Sequence, residues 1–587
     1  MKKLAIKITG ESGSGLLSTG EILLKAFKCI GYFIHAERDY PSLIKGGSSV
    51  FHINVSTERI HCLNKKADII VALDRMGIVE YADTLKDGGI LIHGQERQNS
   101  IKDILKGLEE RNVKIIYIPA RTIAYEKQAG EIMVNMVLLG LLWRILDLNL
   151  QILKFEVAKK FETKDKSIDA NINCIQAGYD ATDISKLTKL AFDIPSDKED
   201  DILIDGNTAI ALGAINCGVR AYYAYPMSPS SSILSYLAKK ADDTKMIVKQ
   251  AEDEITAVQM ALGSMHMGTR AMTATSGGGF DLMTESISLA GMIETPLVVV
   301  IAQRPGPATG LPTWTAQSDL NMAIFSSHGE FPKIVIALSD PVSCYSLIPQ
   351  AFNLAEEFQV PVLVLSEKTI SEALETVPRF KDNTIGINRG LVSTKEDLKN
   401  LDSNLRYKFS ESGISKRWLP GSSTITYFAN GDEHNEDGTI TETSKGTRRM
   451  AEKRLRKMRE ISRNIPGPRL YGPDTAEFSF IGFGSTKNVM LDAIVKFKEQ
   501  NISVNYLHYD FVWPLRTDRV RMLFKTNKNV FLVEGNSLGQ LGNLIEYKAR
   551  VKFHGRLLKY DGRPFYIEDI EAFITRKIEE SNTAQNG

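Results

Sequence analysis

Short apolar strands recur along this chain, each ending in a loop rich in glycine, proline, serine or threonine and followed by a helical stretch. That alternation restricts the fold to α/β units in which helices cover largely parallel sheets. Residues 3–8 read as a strand, 10–15 as a glycine-rich turn and 16–27 as an amphipathic helix, with further strands at 67–73 and 113–118. The pattern returns with strands at 220–225, 271–275, 296–302 and 361–365, and again at 478–483, 502–507 and 530–534. A chain of 587 residues is too long for one core, so the breaks between these blocks read as domain boundaries. We expect a multidomain α/β protein divided into residues 1–185, a polar linker 186–201, a glycine-rich domain 202–370, an irregular charged connector 371–469 and a last domain 470–587.

Lys+Arg 72 against Asp+Glu 71 leaves no global field that would draw nucleic acid or an acidic membrane. The most apolar stretches are interrupted by Asn135 and Arg144 or by Glu294, so no membrane-spanning segment is expected. Lys7 cuts the apolar run after the N-terminus and no small-residue cleavage site follows, which argues against a signal peptide. Cys29, Cys62, Cys174, Cys217 and Cys344 are scattered without any C-x-x-C pair. A disulfide framework is thereby excluded, a zinc or four-cysteine iron–sulfur site in this chain is disfavoured, and a reduced, cytoplasmic protein is expected.

Several local features admit a bland reading beside a functional one. Gly13-x-Gly15 after a strand suggests a dinucleotide turn, but the next glycine is displaced to Gly20 and no acid closes a second strand at the expected distance, so a structural turn or an unspecified phosphate contact is favoured. Glu252, Asp253 and Glu254 open a helix, where acids complement the helix dipole, although a Glu between apolar faces can also be a buried proton-transfer group. Arg304 ends a strand and is followed by Pro305-Gly306-Pro307, a rigid setting suited to gripping a carboxylate or, equally, to capping carbonyls. Asp432, Glu433 and His434 are consecutive and point in different directions, so a solvated loop is preferred over a metal site, and no metal ligands are assigned. The basic run 448–459 has no interleaved aromatic residue and reads as a solvated helix face rather than a nucleic-acid surface.

Taken together, Gly206-Asn207-x-Ala209, Tyr225-Pro226-Met227-Ser228-Pro229, Glu252-Asp253-Glu254-Ile255, Thr275 to Phe280, and Gln303 to Thr313 resemble the alpha subunit of 2-oxoacid:ferredoxin oxidoreductases. The stretch 431–438, the Lys453-Arg454 helix and Glu534-Gly535-Asn536-x-x-Gly539-Gln540 match further on. Residues 10–15 with Lys45-Gly46-Gly47 look like that family's gamma domain fused in front, Lys45 standing where the family often has Arg. The resemblance implies a pyrimidine-binding type second domain and a transketolase C-terminal-like last domain. It also implies CoA-dependent oxidative decarboxylation of a 2-oxoacid, most similar to the 2-oxoglutarate enzymes, with electrons passed to ferredoxin. Pyruvate or a broad 2-oxoacid range, a scaffold that has lost its chemistry, and a nucleotide-binding protein are the alternatives.

By the same resemblance Glu254, which alone precedes the Ile-x-Ala pattern, matches the carboxylate that hydrogen-bonds the aminopyrimidine ring of thiamine diphosphate. Arg304 matches the substrate-carboxylate arginine, and Ser228 keeps a hydroxyl where the family usually has Thr. Tyr225 and Pro226 flank the cofactor. No Gly-Asp-Gly motif for the diphosphate and its Mg2+ is present in the chain. A beta subunit is therefore expected to supply Mg2+ and a 4Fe-4S cluster, in a dimer of alpha–beta units, with coenzyme A as co-substrate.

Overall fold

The computed structural model describes all residues other than 12, 42–45, 128, 131–132, 163–164, 182–189, 191, 196–199, 382–384 and 587, with backbone alone at 165–167 and 584–586. Ser12, Lys45 and most of the expected linker 186–201 thus lie outside the described residues. The chain divides into two compact units, one made of Met1–Ile204, Ala373–Arg379 and Tyr566–Ala572, the other of Asp205–Glu372, Phe380–Phe565 and Phe573–Gly587.

The first unit is built on an eight-stranded mixed sheet. Lys3–Glu11, Ala67–Ala72, Leu85–His93 and Lys114–Tyr117 run parallel, as the strand–helix alternation predicts. The other half is antiparallel: Ser48–Ser56 lies between Lys3–Glu11 and Phe33–Asp39, and Leu374–Pro378 joins Asp201–Ile204 at the far end. These strands escape the parallel expectation because strands 33–39 and 48–56 are separated by only eight residues, too few for a crossover connection. Helix Leu16–Ile30 starts at Gly15 (φ 82) and stops at Gly31 (φ 115), whose N–H donates to the Phe27 and Lys28 carbonyls, a left-handed C-terminal cap that favours glycine. Helices Val134–Ile145 and Asp165–Asp180 touch backbone to backbone. A Cβ on Gly140 would lie 2.1 Å from the Ile175 carbonyl oxygen, and one on Gly178 would lie 1.9 Å from that of Val137. Trp143, Phe27 and Tyr32 fill the core beside this crossing.

The second unit holds two sheets. The larger has seven strands, with Ile247–Gln250, Ala221–Ala224, Ala271–Thr275, Leu297–Gln303, Pro361–Glu367 and Ile334–Ala337 all parallel and Phe511–Trp513 antiparallel at the edge. The smaller has five strands, of which Val504–Tyr509, Phe478–Phe483, Val530–Glu534 and Gly555–Leu558 are parallel and Arg469–Tyr471 is antiparallel. Near-continuous burial of Leu297–Gln303 and Pro361–Glu367 is what strands covered on both faces require.

The charged connector departs from the solvated reading. Helix Ser444–Asn464 buries Lys453 and Lys457 completely, and both ammonium groups lie 2.6 Å from the carboxylate of Glu294. Arg454 donates to both oxygens of Glu433 at 2.8 and 2.6 Å, and His434 is buried with its ring 4.2 Å from that of Tyr407. Glu356, likewise buried, collects Arg270, Arg389 and Arg417 at 2.7, 2.9 and 3.4 Å. Both stretches thus bury part of their charge, while Asp432, Arg448, Arg449 and Glu452 stay exposed. Hydropathy could not reveal this, because each buried charge is neutralised by a partner far away in sequence, and the long lysine stems supply the apolar contact. Among the described residues no helix is long and apolar enough to cross a membrane.

Replacing Lys453 by Met removes one of the two ammonium groups on Glu294 and its buried hydrogen bond, so the variant should lose about 1–3 kcal/mol of stability. Replacing Arg448, whose ion pair with Glu452 is solvent-exposed, should leave the melting curve of the second unit unmoved. Calorimetric melting of both variants checks the contrast.

Candidate active site

Four adjacent strands of the larger sheet, in the order 247–250, 221–224, 271–275 and 297–303, present their carboxyl ends side by side, the position at which open parallel sheets bind ligands. Four of the singled-out motifs follow them. Glu254 comes after the first, Tyr225 to Ser230 after the second, Ser276 to Phe280 after the third and Arg304 after the fourth.

The turn after Ala224 is held from below. Buried Asn207 donates its amide to the Pro229 carbonyl and to the Ser232 hydroxyl, both at 2.7 Å, and the Ser230 hydroxyl donates to the Met227 carbonyl at 2.8 Å. Tyr225, Pro226 and Ser228 are left exposed at its rim. Arg304, half-buried, donates from Nη1 to the Ser228 carbonyl at 3.0 Å, so these two expected site residues meet. Burial draws the Arg304 guanidinium below its ordinary value, and the Asp319 charge opposes that shift.

Glu254 and its rival part company. Glu252 is exposed, whereas Glu254 is buried as the first residue of helix Glu254–His266. Asp253, not Glu254, caps that helix, accepting from the Thr256 N–H at 2.7 Å. The dipole-complementing role therefore falls to Asp253, and Oε1 of Glu254 is buried with no hydrogen-bond partner. Three further buried oxygens nearby share that state, namely Thr275 Oγ1, Ser276 Oγ and Asp319 Oδ2. They gather around the glycine run 277–279. A Cβ on Gly279 would sit 2.1 Å from Thr275 Oγ1 and 2.5 Å from Glu254 Oε1, and one on Gly277 would sit 2.6 Å from Asp319 Oδ2. Unsatisfied buried oxygens are costly, so their concentration marks a place built to receive a donor from outside the chain.

A second polar seam closes the site against the smaller sheet of the same unit. Gln317 donates to Glu367 and to the Phe483 carbonyl at 2.7 and 2.8 Å while its own Oε1 accepts from the Gly535 N–H at 2.6 Å. Glu367 in turn accepts from the Ser485 N–H at 2.9 Å. Glu534 is buried and accepts from the Leu541 N–H at 2.9 Å and from Asn536 at 2.6 Å, and burial lifts its carboxyl to about 7. The conspicuous Glu-Gly-Asn sequence is thus a helix anchor and a seam. Reading the sequence missed Asp319, Gln317 and Glu367. For Asp319 a signal existed, since it and Arg304 are the only Asp, Glu, Lys or Arg residues in 295–329. Gln317 and Glu367 carry none, because their roles depend on partners brought together by the fold.

Comparison with known proteins gives the family. Residues 212–453 match the family model described as pyruvate flavodoxin/ferredoxin oxidoreductase, thiamine diP-bdg, and residues 5–181 match that of pyruvate ferredoxin/flavodoxin oxidoreductase. The alpha subunit of a 2-oxoacid:ferredoxin oxidoreductase from Sulfolobus sp is 32% identical over 98% of this chain and 97% of its own. The 2-oxoglutarate oxidoreductase subunit KorA of Mycobacterium tuberculosis is 26% identical over 98% of this chain and 91% of its own. A solved 2-oxoglutarate:ferredoxin oxidoreductase from Magnetococcus marinus superposes with a TM-score of 0.89 at 29% identity, covering 98% of this chain and 100% of the other. The chain belongs to the 2-oxoacid:ferredoxin oxidoreductases, as an alpha subunit. Within that family its similarity extends to the 2-oxoglutarate-type KorA subunits.

Asn207→Ala removes both buried amide bonds and strands the Pro229 carbonyl, which should cost about 1–3 kcal/mol. Denaturant titration reads the loss, and an unchanged midpoint would show that the turn is held by something else.

Proposed function

We propose that this chain supplies half of an active site that converts 2-oxoglutarate and coenzyme A to succinyl-CoA and CO2, passing two electrons to ferredoxin. The observation that carries the reading is the buried, partnerless Oε1 of Glu254 beside the glycine run. A ring nitrogen of the aminopyrimidine satisfies such an oxygen, and the residues present fit thiamine diphosphate. When bound, thiamine diphosphate supplies the carbon nucleophile and electron sink for 2-oxoacid decarboxylation. Glu254 then orients the ring and holds or releases a proton at its nitrogen. In this reading Arg304 grips the substrate carboxylate with a charge-assisted bond and the exposed Ser228 hydroxyl donates to the 2-oxo oxygen. Tyr225 and Pro226, exposed beside Ser228, flank the ring.

The missing parts point to a partner. The sequence has no Gly-Asp-Gly motif, and none of its five cysteines is in a disulfide, four of them being buried. We assign Mg2+, the diphosphate grip, the 4Fe-4S cluster and the ferredoxin contact to a beta subunit, in a dimer of alpha–beta units located in the cytoplasm. The 2-oxoglutarate assignment is supported by the Magnetococcus marinus structure, which holds 2-oxoglutarate, coenzyme A and succinyl-CoA, and by the KorA relatives. The names of the Sulfolobus-type relatives favour a broader 2-oxoacid range as the second reading.

Coenzyme A is assigned to the first unit. A cavity of about 920 Å3 opens at the carboxyl ends of its parallel strands, lined by Gly13, Ser14, Arg75, Arg97, Arg121 and Asn135. Glu11, Asp74 and Glu96 share the lining; Asp74 is already committed, accepting from the Gly77 N–H at 2.8 Å and the Glu11 N–H at 2.6 Å, which leaves three guanidinium groups against the two other carboxylates. Guanidinium groups around a strand-to-helix turn suit the phosphates of the phosphoadenosine end.

Purification with its neighbour subunit should yield a brown complex bleached by 2-oxoglutarate plus coenzyme A. A complex bleached equally fast by pyruvate would move the assignment to the broader range. Glu254→Gln should lower turnover by at least about 100-fold while the complex still assembles. An active Glu254→Ala enzyme would sink the assignment. Arg75→Ala with Arg97→Ala should raise the KM for coenzyme A by about tenfold or more, without moving that for the 2-oxoacid.

A further inference from the structure

Asp319 is a second carboxylate at these strand ends, and the chemistry above does not use it. It immediately precedes helix Leu320–Phe325, yet its side chain makes no capping bond there. Its own N–H donates to Gln303 Oε1 at 3.0 Å, which fixes it beside the end of the strand that carries Arg304. Oδ1 has the Ser318 hydroxyl at 3.4 Å, and Oδ2 is buried against Gly277 without a partner. The charged groups that face it are Asp281, from the helix Gly277–Asp281, and Arg304. Burial, first, and then the Asp281 charge raise its carboxyl to about 6, against the pull of the Ser318 hydroxyl and of Arg304.

The Asp319 charge reaches the Arg304 guanidinium through space, and a negative charge there opposes the capture of an anion. Ionised, Asp319 offsets the positive charge of Arg304; protonated, it leaves that charge to an incoming ligand. An anion on Arg304 in turn cancels the cation that favours ionised Asp319 and adds a negative charge nearby, so the two events reinforce each other.

We propose that Asp319 is a positioning residue that couples a proton to substrate capture, the 2-oxoacid carboxylate docking on Arg304 as Asp319 takes up a proton. The proposal rests on the reading of Arg304 as the carboxylate site. The sign follows from linkage. Asp319 in the free enzyme titrates near 6 and in the complex titrates higher, so between those values binding draws up to one proton from solution and affinity falls as pH rises. The dissociation constant of 2-oxoglutarate should rise up to about tenfold per pH unit across that window.

The test uses the assembled alpha–beta complex depleted of thiamine diphosphate, titrated calorimetrically with 2-oxoglutarate at pH 6 to 8 in two buffers of different ionisation heat. The wild-type complex should take up a fraction of a proton per site, largest at the middle of the window. Asp319→Asn, a neutral isostere, should bind tightly with little pH dependence and no such uptake, and Asp319→Glu should restore part of it. Glu534, the other buried carboxyl lifted near this range, is unchanged in both variants, so the difference isolates Asp319. Equal proton uptake in wild type and Asp319→Asn would overturn the proposal. Arg304→Ala separates the two levels. If it leaves 2-oxoglutarate affinity unaltered, the carboxylate site itself is misplaced. If it abolishes binding while Asp319→Asn keeps the wild-type proton uptake, only the role of Asp319 falls.

Discussion

A carboxylate can lie buried at the start of helix Glu254–His266 only because the neighbouring helix begins with glycines. Any side chain at position 279 would occupy the volume of Glu254 Oε1 and Thr275 Oγ1, and any at 277 would meet Asp319. The run therefore sets how closely backbone and acids approach one another. It also leaves those oxygens without internal donors, a cost of the order of 1–3 kcal/mol each that the fold must carry. The rest of the second unit provides the means: strands buried on both faces, and interior charges matched within 3 Å at Glu294.

Much of this arrangement was legible before any coordinates. The strands 271–275, 478–483 and 530–534 coincide with the apolar runs read from the sequence, because a strand flanked by turn residues has few ways to shift. Glu254, Ser228 and Arg304 were singled out by the resemblance of their motifs to a known family, and the structure brings Arg304 onto the Ser228 carbonyl. Other features were invisible. The antiparallel half of the first sheet, completed by Leu374–Pro378 from far along the chain, has no local signature. Lys453 and Lys457 look like solvent-facing charges until Glu294 is placed between them, and His434 looks like a loop residue until Tyr407 covers it. Periodicity reports how a segment divides between water and interior. It does not report a counter-charge arriving from elsewhere.

The two sheets of the second unit share polar groups as closely as apolar ones. Gln317 is satisfied at both ends of its amide by the smaller sheet's loops, and Glu367, from the larger sheet, accepts the Ser485 N–H. Lys487 and Asp340 add a buried ion pair between them. An amide and a carboxylate committed in this way fix the loop 303–319 at its far end, while Gln303 and the Asp319 N–H fix it at the near end. The segment that carries Arg304 is therefore clamped at two points, and its guanidinium needs little reorganisation to meet a ligand.

The short strand Phe511–Trp513 belongs by sequence to the last part of the chain, yet it pairs with Ile334–Ala337 at the margin of the larger sheet. It works as a hem. Were the polypeptide divided ahead of it, as in an organism that encodes the two parts separately or in a laboratory truncation, the row of amides and carbonyls along 334–337 would be bare. An uncovered margin of that kind recruits any extended peptide at hand, including another copy of itself. The two lobes are thus not interchangeable modules, and a split version of this protein would need either prompt reassociation or a substitute strand to stay in solution.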